Sequence, residues 1–150
     1  MKTDDDEFRW QASLGGGALM DLGVYPLAWV RALAGEPLAV SHAEQQRERA
    51  ADARFSARLL LPGGVTARVA ADMTGERQAR LTIIGTKGTI TIMNPMTVRA
   101  SDDVWLATRD GVERHDVAGP ATFAAQLAAF ADHVAGRAPW PLPPDDPLRS

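Results

Sequence analysis

Asp21 and Tyr25 carry the residue types and the spacing in this chain that best suit proton chemistry. Four apart on a helical stretch, they project from one side of an otherwise apolar segment, where a carboxylate needs a partner and a phenol can give or take a proton. Directly before them stand three consecutive glycines, Gly15, Gly16 and Gly17. Such a run is costly at a helix start, where Ser, Asp or Asn caps better, unless the backbone must pass close to packed groups or to a ligand. On spacing alone two readings stay open. The pair is structural, with Asp21 satisfied by the helix-start amides or an arginine and Tyr25 covering the core edge, or it faces a cavity beside an exposed sheet and works on a bound molecule.

Other polar groups carry less. His42, His115 and His133 fall on separate expected elements without ligand spacing, so no metal site is expected. Asp102-Asp103 and Asp145-Asp146 read as solvated loop carboxylates, Trp29 and Trp105 as core residues, and Lys87 as an exposed turn residue. The absence of cysteine removes disulfides, thiolate zinc sites and thiol nucleophiles together.

The elements that must position Asp21 and Tyr25 follow from the hydrophobic period. Met1 to Leu14 shows none and is expected to be a poorly ordered tail and lead-in loop. From Gly15 to Ala34, Leu19, Leu22, Pro26, Val30 and Leu33 recur at helical spacing, and Gly35-Glu36-Pro37 stops the run. Pro26 removes a backbone donor and disfavours helix at Tyr25, so a kink or break is expected there. The period then changes to two. Leu38 to Glu44, Ala53 to Leu61, Val65 to Ala71, Gln78 to Ile84, Thr89 to Met93, Val104 to Thr108 and Val112 to Val117 read as strands. Pro62-Gly63-Gly64, Gly85 to Gly88 and Asp110-Gly111 supply tight turns between them. Phe55, Ala57, Leu59 and Leu61 share one face of the second strand, and Arg54, Ser56 and Arg58 the other.

A second helix is expected from Thr122 to Ala135, with Phe123, Leu127, Phe130 and Val134 as its apolar stripe, before an extended Pro139 to Pro144 tail. The connections between strands are too short for parallel crossovers, so the order implies an α+β fold around a mostly antiparallel open sheet, with helices packed on one face.

At 150 residues, 45% hydrophobic and 23% charged, the chain has the size and composition of one globular domain. Its net charge of −3, mixed along the sequence, provides no basic face for nucleic acid or anionic lipid. No apolar run is long enough to span a bilayer and the acidic start is unlike a secretion signal, so a cytoplasmic protein is expected.

The string Leu14-Gly15-Gly16-Gly17-Ala18-Leu19-Met20-Asp21-Leu22-Gly23-Val24-Tyr25-Pro26, preceded by Arg9-Trp10, resembles the opening of the C-terminal domain of Gfo/Idh/MocA oxidoreductases. Ile84 to Thr89 with Asn94-Pro95, and then Phe123, Gln126, Ala129-Phe130 and Pro141 to Pro144, are similar to later segments of that domain. The resemblance implies a glyceraldehyde-3-phosphate dehydrogenase-like C-terminal fold. It also implies a small sugar or vicinal diol as substrate and NADP or NAD as cofactor. Tyr25, often histidine in the family, resembles the branch of glucose-fructose oxidoreductase and dimeric dihydrodiol dehydrogenase. Implied roles are Tyr25 as acid or base, Asp21 as orienting or substrate-bonding carboxylate, and Arg9, Trp10, Gly16 and Gly17 as substrate-side residues.

The chain also departs from that pattern. It has no Gly-x-Gly-x-x-Gly after a strand and no Glu-Lys-Pro, which in the family supplies a catalytic lysine. No cofactor-binding residue can therefore be assigned, and the chain alone is not expected to hold the dinucleotide. The expected organisation is a lead-in segment, residues 1–14, and a substrate and oligomerisation domain, residues 15–150, without a Rossmann domain. Its partners would be a separate Rossmann-domain chain or further copies joined through the sheet face; the alternative is a non-catalytic interaction module or oligomerising remnant.

Overall fold

The computed structural model describes residues 7–96, 103–117, 119–142 and 146. They divide into two compact units, one ending at Glu76 and one beginning at Arg77.

The first unit is a helix laid on a three-stranded antiparallel sheet. Strands β1 (Ala39–Glu48), β2 (Ala51–Leu60) and β3 (Thr66–Asp72) pair in the order β1-β2-β3. The alternation read from β2 is observed: Phe55, Leu59 and Leu61 are buried, while Arg54, Ser56 and Arg58 take the wetter side. With Ala18 and Val69 they form the core, against which Leu27, Val30, Ala34, Ala57, Ala67, Ala71 and Met73 pack. Pro62 to Gly64 turns β2 into β3 with Gly63 and Gly64 at φ 71° and 75°, conformations that a side chain would strain.

The first helix departs from its expected phase. A π turn, Leu19–Gly23, runs directly into α1, Val24–Ala34. Pro26 lies just past the π turn in a continuous helix, where it has no N–H to bond the preceding turn, and the irregularity expected at Tyr25 takes the form of this π-to-α junction. The wider turn shifts the apolar face. Leu27, Val30 and Ala34 reach the core, whereas Leu19 and Leu33, expected on the buried stripe, are exposed. The lead-in segment is also more regular than expected: Phe8–Trp10 and Ala12–Leu14 form two 3-10 turns, and Gln11 bridges Ala50 at the end of the β1–β2 hairpin.

The second unit is an antiparallel meander of four strands, β4 (Arg80–Ile84), β5 (Gly88–Met93), β6 (Asp103–Thr108) and β7 (Gly111–Asp116), in that order. Leu81 and Ile83 stand opposite Ile92 and Ile90, which in turn stand opposite Val104 and Leu106, so one face carries an apolar band. Helix α2, Thr122–Val134, follows. Its stripe of Phe123, Leu127, Phe130 and Val134 is exposed, and Trp140 turns edge-on to Phe130 at 6.3 Å. The whole is α+β, as the sequence implies, with its strands distributed over two antiparallel ladders. Pro143, Pro144, Asp102 and Asp145 lie outside the described residues. Among the described residues no helix is long and apolar enough to cross a membrane.

Candidate functional site

The site is assembled from the lead-in turns, the helix start and the near end of β2. The glycine run is explained by its own chain. Gly15, at φ 77°, ends the second 3-10 turn in a left-handed conformation. Gly16 and Gly17 are buried, and their amides donate to the carbonyls of Gln11 and Arg9 at 3.0 and 2.8 Å. A Cβ on Gly16 would lie 2.5 Å from the Arg9 carbonyl oxygen, and one on Gly17 would coincide with the Asp52 carboxylate. The Asp52 carboxylate accepts the Leu19 N–H at 2.8 Å. Asp52 was invisible to sequence reasoning, which began the strand at Ala53.

Beyond that start, the Asp21 N–H donates to the Gly17 carbonyl at 2.9 Å, and the Asp21 carboxylate lies 3.4 Å from Arg9 Nε. An arginine is thus its partner, one of the two foreseen for a structural carboxylate, while the helix-start amide is taken by Asp52. About a third of the Asp21 side chain stays accessible, and Tyr25 is 42% exposed. Four residues fall between the 3.6 of an α turn and the larger count of a π turn, so the junction keeps Asp21 and Tyr25 close to the same line along the helix.

Arg9 is shared. Its Nη1 also meets Glu7 Oε1 at 2.7 Å, and its guanidinium lies 4.8 Å from the Phe8 ring centre. Trp10 is half-buried and carries the Arg49 guanidinium over its ring at 4.8 Å. Arg49 stands at φ 57° in the β1–β2 turn, an unusual conformation for a non-glycine residue. Arg9, Trp10, Gly16, Gly17 and Asp21 are therefore drawn into one neighbourhood by backbone bonds and ion pairs, with Tyr25 a turn further along.

The remaining sequence candidates stay apart. His42 and His115 each lie near a glutamate of their own strand, Glu44 at 3.8 Å and Glu113 at 3.5 Å, and His133 lies against Trp140. Among the described residues no three His, Cys, Asp or Glu side chains gather as a metal site. Trp29 is half-buried, Trp105 is partly exposed, and Lys87 is exposed in its turn. On the outer face of β1-β2-β3, Ser56 and then His42 hold the Glu44 carboxyl below its ordinary range. Asp72 is held down to about 2, chiefly by the Thr74 hydroxyl and further by the Thr74 amide and Arg54, against the opposing effect of burial.

A family model described as the GFO/IDH/MocA C-terminal domain matches residues 1–91, more than half of the chain. The chain belongs to the Gfo/Idh/MocA family. One relative is the dTDP-3,4-didehydro-2,6-dideoxy-alpha-D-glucose 3-reductase of Streptomyces violaceoruber, 34% identical over 86% of this chain and 39% of its own length. Another is the trans-1,2-dihydrobenzene-1,2-diol dehydrogenase of Sus scrofa, 32% identical over 53% of this chain and 24% of its own. Among solved structures, a 3-ketoreductase from Actinomadura kijaniata in complex with NADP and TDP-benzene aligns over 95% of this chain and 44% of its own, with a TM-score of 0.82 and 26% identity. An aldose-aldose oxidoreductase from Caulobacter crescentus complexed with glycerol aligns over 99% and 47%, with a TM-score of 0.84 and 25% identity. The chain thus spans less than half the length of these Gfo/Idh/MocA proteins.

The glycine-rich helix start does not fit a dinucleotide such as the NADP of the 3-ketoreductase. Pyrophosphate binds a helix N-terminus through free amides and open glycine backbone, and here Asp52 holds the Leu19 amide while Gly16 and Gly17 are filled by the chain itself.

Proposed function

We propose that this chain is the substrate-side domain of an NAD(P)-dependent oxidoreductase that interconverts a carbinol and a carbonyl on a sugar, a sugar nucleotide or a vicinal diol. The observation that carries the reading is the helix start of a Gfo/Idh/MocA domain that presents a partly exposed phenol and carboxylate, Tyr25 and Asp21, a turn apart. In this reading Tyr25 moves the proton to or from the substrate oxygen. Asp21, held by Arg9, orients a neighbouring hydroxyl, and Trp10, with Arg49 stacked on its ring, lines the substrate side beside them. Gly16 and Gly17 let the lead-in turns close on the helix, which sets Arg9 beside Asp21. The nucleotide is held by residues outside this chain, on a separate domain, and the working protein is cytoplasmic.

The test is turnover by the chain joined to a family nucleotide-binding domain, with a dTDP-ketosugar and a vicinal diol as substrates. Tyr25→Phe is expected to lower kcat by about 10²-fold or more. Full activity in that variant removes Tyr25 from the mechanism. The chain alone is expected to give no NADP(H) signal by calorimetry, and tight binding there overturns the division of labour.

A second role is compatible with the first. The outer face of β1-β2-β3, lined by His42, Glu44, Ser56 and Arg58, is polar and accessible along β1, and we propose it as the face through which copies associate. A strictly monomeric mass by light scattering removes that role.

A further inference from the structure

We infer that Asp52 is the positioning residue of the site: by capping the helix from strand β2, it sets where Tyr25 and Asp21 stand relative to the sheet. The inference rests on the reading of Tyr25 as the group that handles the substrate proton.

A helix start leaves its first amides without partners, and a Ser, Asp or Asn at the N-cap usually satisfies one of them. Here the Gly17 carbonyl accepts the first helical bond, from Asp21, and neither Gly17 nor Ala18 has a side chain that could bond the Leu19 amide. Asp52 does so instead, from 33 residues further along the chain. The two positions require each other, because a side chain on Gly17 would occupy the place of the Asp52 carboxylate. A local cap would satisfy the same amide, but it would tie the helix only to itself. A cap from β2 ties it to the sheet.

The strand is irregular where it presents that carboxylate. Gln46 pairs with Arg54 and Arg47 with Asp52, so Ala53 is an extra residue on β2. Burial still alternates through it, with Ala51, Ala53 and Phe55 buried and Asp52 and Arg54 half-buried, so the bulge shifts the pairing with β1 beside Asp52. A second tie lies on the same strand, where the Phe55 ring fills the space beside Gly23. Asp52 at Leu19 and Phe55 at Gly23 are two anchors along one helix, and two anchors fix both its translation and its rotation. Asp21 lies between them, and Tyr25 two residues beyond the second.

Tyr25 is the single tyrosine of the chain, so its ring signals can be read without ambiguity by labelling tyrosine with carbon-13. In the chain joined to a nucleotide-binding domain, Asp52→Ala is expected to move those signals and to lower kcat by about 10²-fold with KM changed less than about threefold. Asp52→Asn, which keeps an acceptor, is expected to restore most of both. A folded Asp52→Ala protein with unmoved Tyr25 signals and kcat within about twofold of the parent overturns the inference. Should Asp52→Ala fail to fold, Asp52→Ser, which fills the space without reaching the amide, is read by the same criteria. A parent enzyme that turns over no carbinol or ketone sinks the proposed reaction alone; the Tyr25 signals in Asp52→Ala and Asp52→Asn then decide the positioning.

Discussion

Phe55 and Gly23 meet so closely that a Cβ on Gly23 would lie 2.5 Å from the aromatic ring. Phe55 is buried and belongs to the core cluster on β2, so its ring can yield only by moving its core neighbours. Gly23→Ala is therefore expected to destabilise the fold by about 1–3 kcal/mol through overpacking, despite the better helix propensity of alanine. Urea unfolding measures it, and an unchanged midpoint would show that the helix can lift off the strand without penalty.

Asp72 gives the stability a specific acid limb. Its folded pKa of about 2 lies below the ordinary aspartate value of 3.8, so its contribution is fully present above the unfolded pKa and is lost as the pH falls through the folded one. The window is pH 4 to 2. The side chain is 41% exposed, so screening keeps the contribution to about 1 kcal/mol or less. The Thr74 hydroxyl and amide both donate to Asp72 Oδ1 at 2.7 Å, and the hydroxyl effect is the largest. Thr74→Ala is expected to flatten the pH dependence in that window, and an identical slope in both proteins would contradict the assignment.

Arg49 allows strain and stacking to be separated. At φ 57° a side chain costs about 1–2 kcal/mol relative to glycine, and the stack on Trp10 returns about 0.5–1 kcal/mol. Arg49→Ala keeps the strain and loses the stack, whereas Arg49→Gly loses both. The glycine variant should be the more stable of the two by about 1 kcal/mol in thermal unfolding. Equal stabilities would mean that the turn relaxes when the side chain is removed.

The Arg9–Asp21 pair is expected to matter more for activity than for stability. Both side chains are partly exposed, so Arg9→Ala should cost under about 1 kcal/mol in folding. If Asp21 orients substrate, losing the guanidinium should raise KM by about 10-fold in the joined enzyme. A large loss of stability with unchanged KM would assign the pair to the fold alone.

Much of this architecture is legible in the residues, for definite reasons. The β2 alternation of Phe55, Leu59 and Leu61 against Arg54, Ser56 and Arg58 survives because the strand is buried on one face only. Pro62 to Gly64 and Asp110-Gly111 are visible as turns because they need conformations that glycine supplies. The β1–β2 turn is not, since Arg49 adopts its left-handed conformation without a glycine to announce it, and the first strand accordingly runs to Glu48 instead of Glu44. The π turn is hidden because a one-residue change of phase leaves the composition untouched. At the site, the spacing of Asp21 and Tyr25 is local and readable, and the arginine partner is among the alternatives the sequence leaves open. The role of Asp52 is unreadable, because it depends on a distant amide. The stripe of α2 is readable as a pattern, but a pattern does not say what covers it.

The bond between Asp52 and Leu19 joins residues 33 apart, which bears on the order in which the molecule acquires its shape. The beginning of the helix cannot be secured as it leaves the ribosome; it must wait until the hairpin has closed. Leu19 should then exchange its amide hydrogen only when the hairpin opens, at the pace of its interior residues and not of a fraying end. The anchored helix start of this domain is a late product of folding.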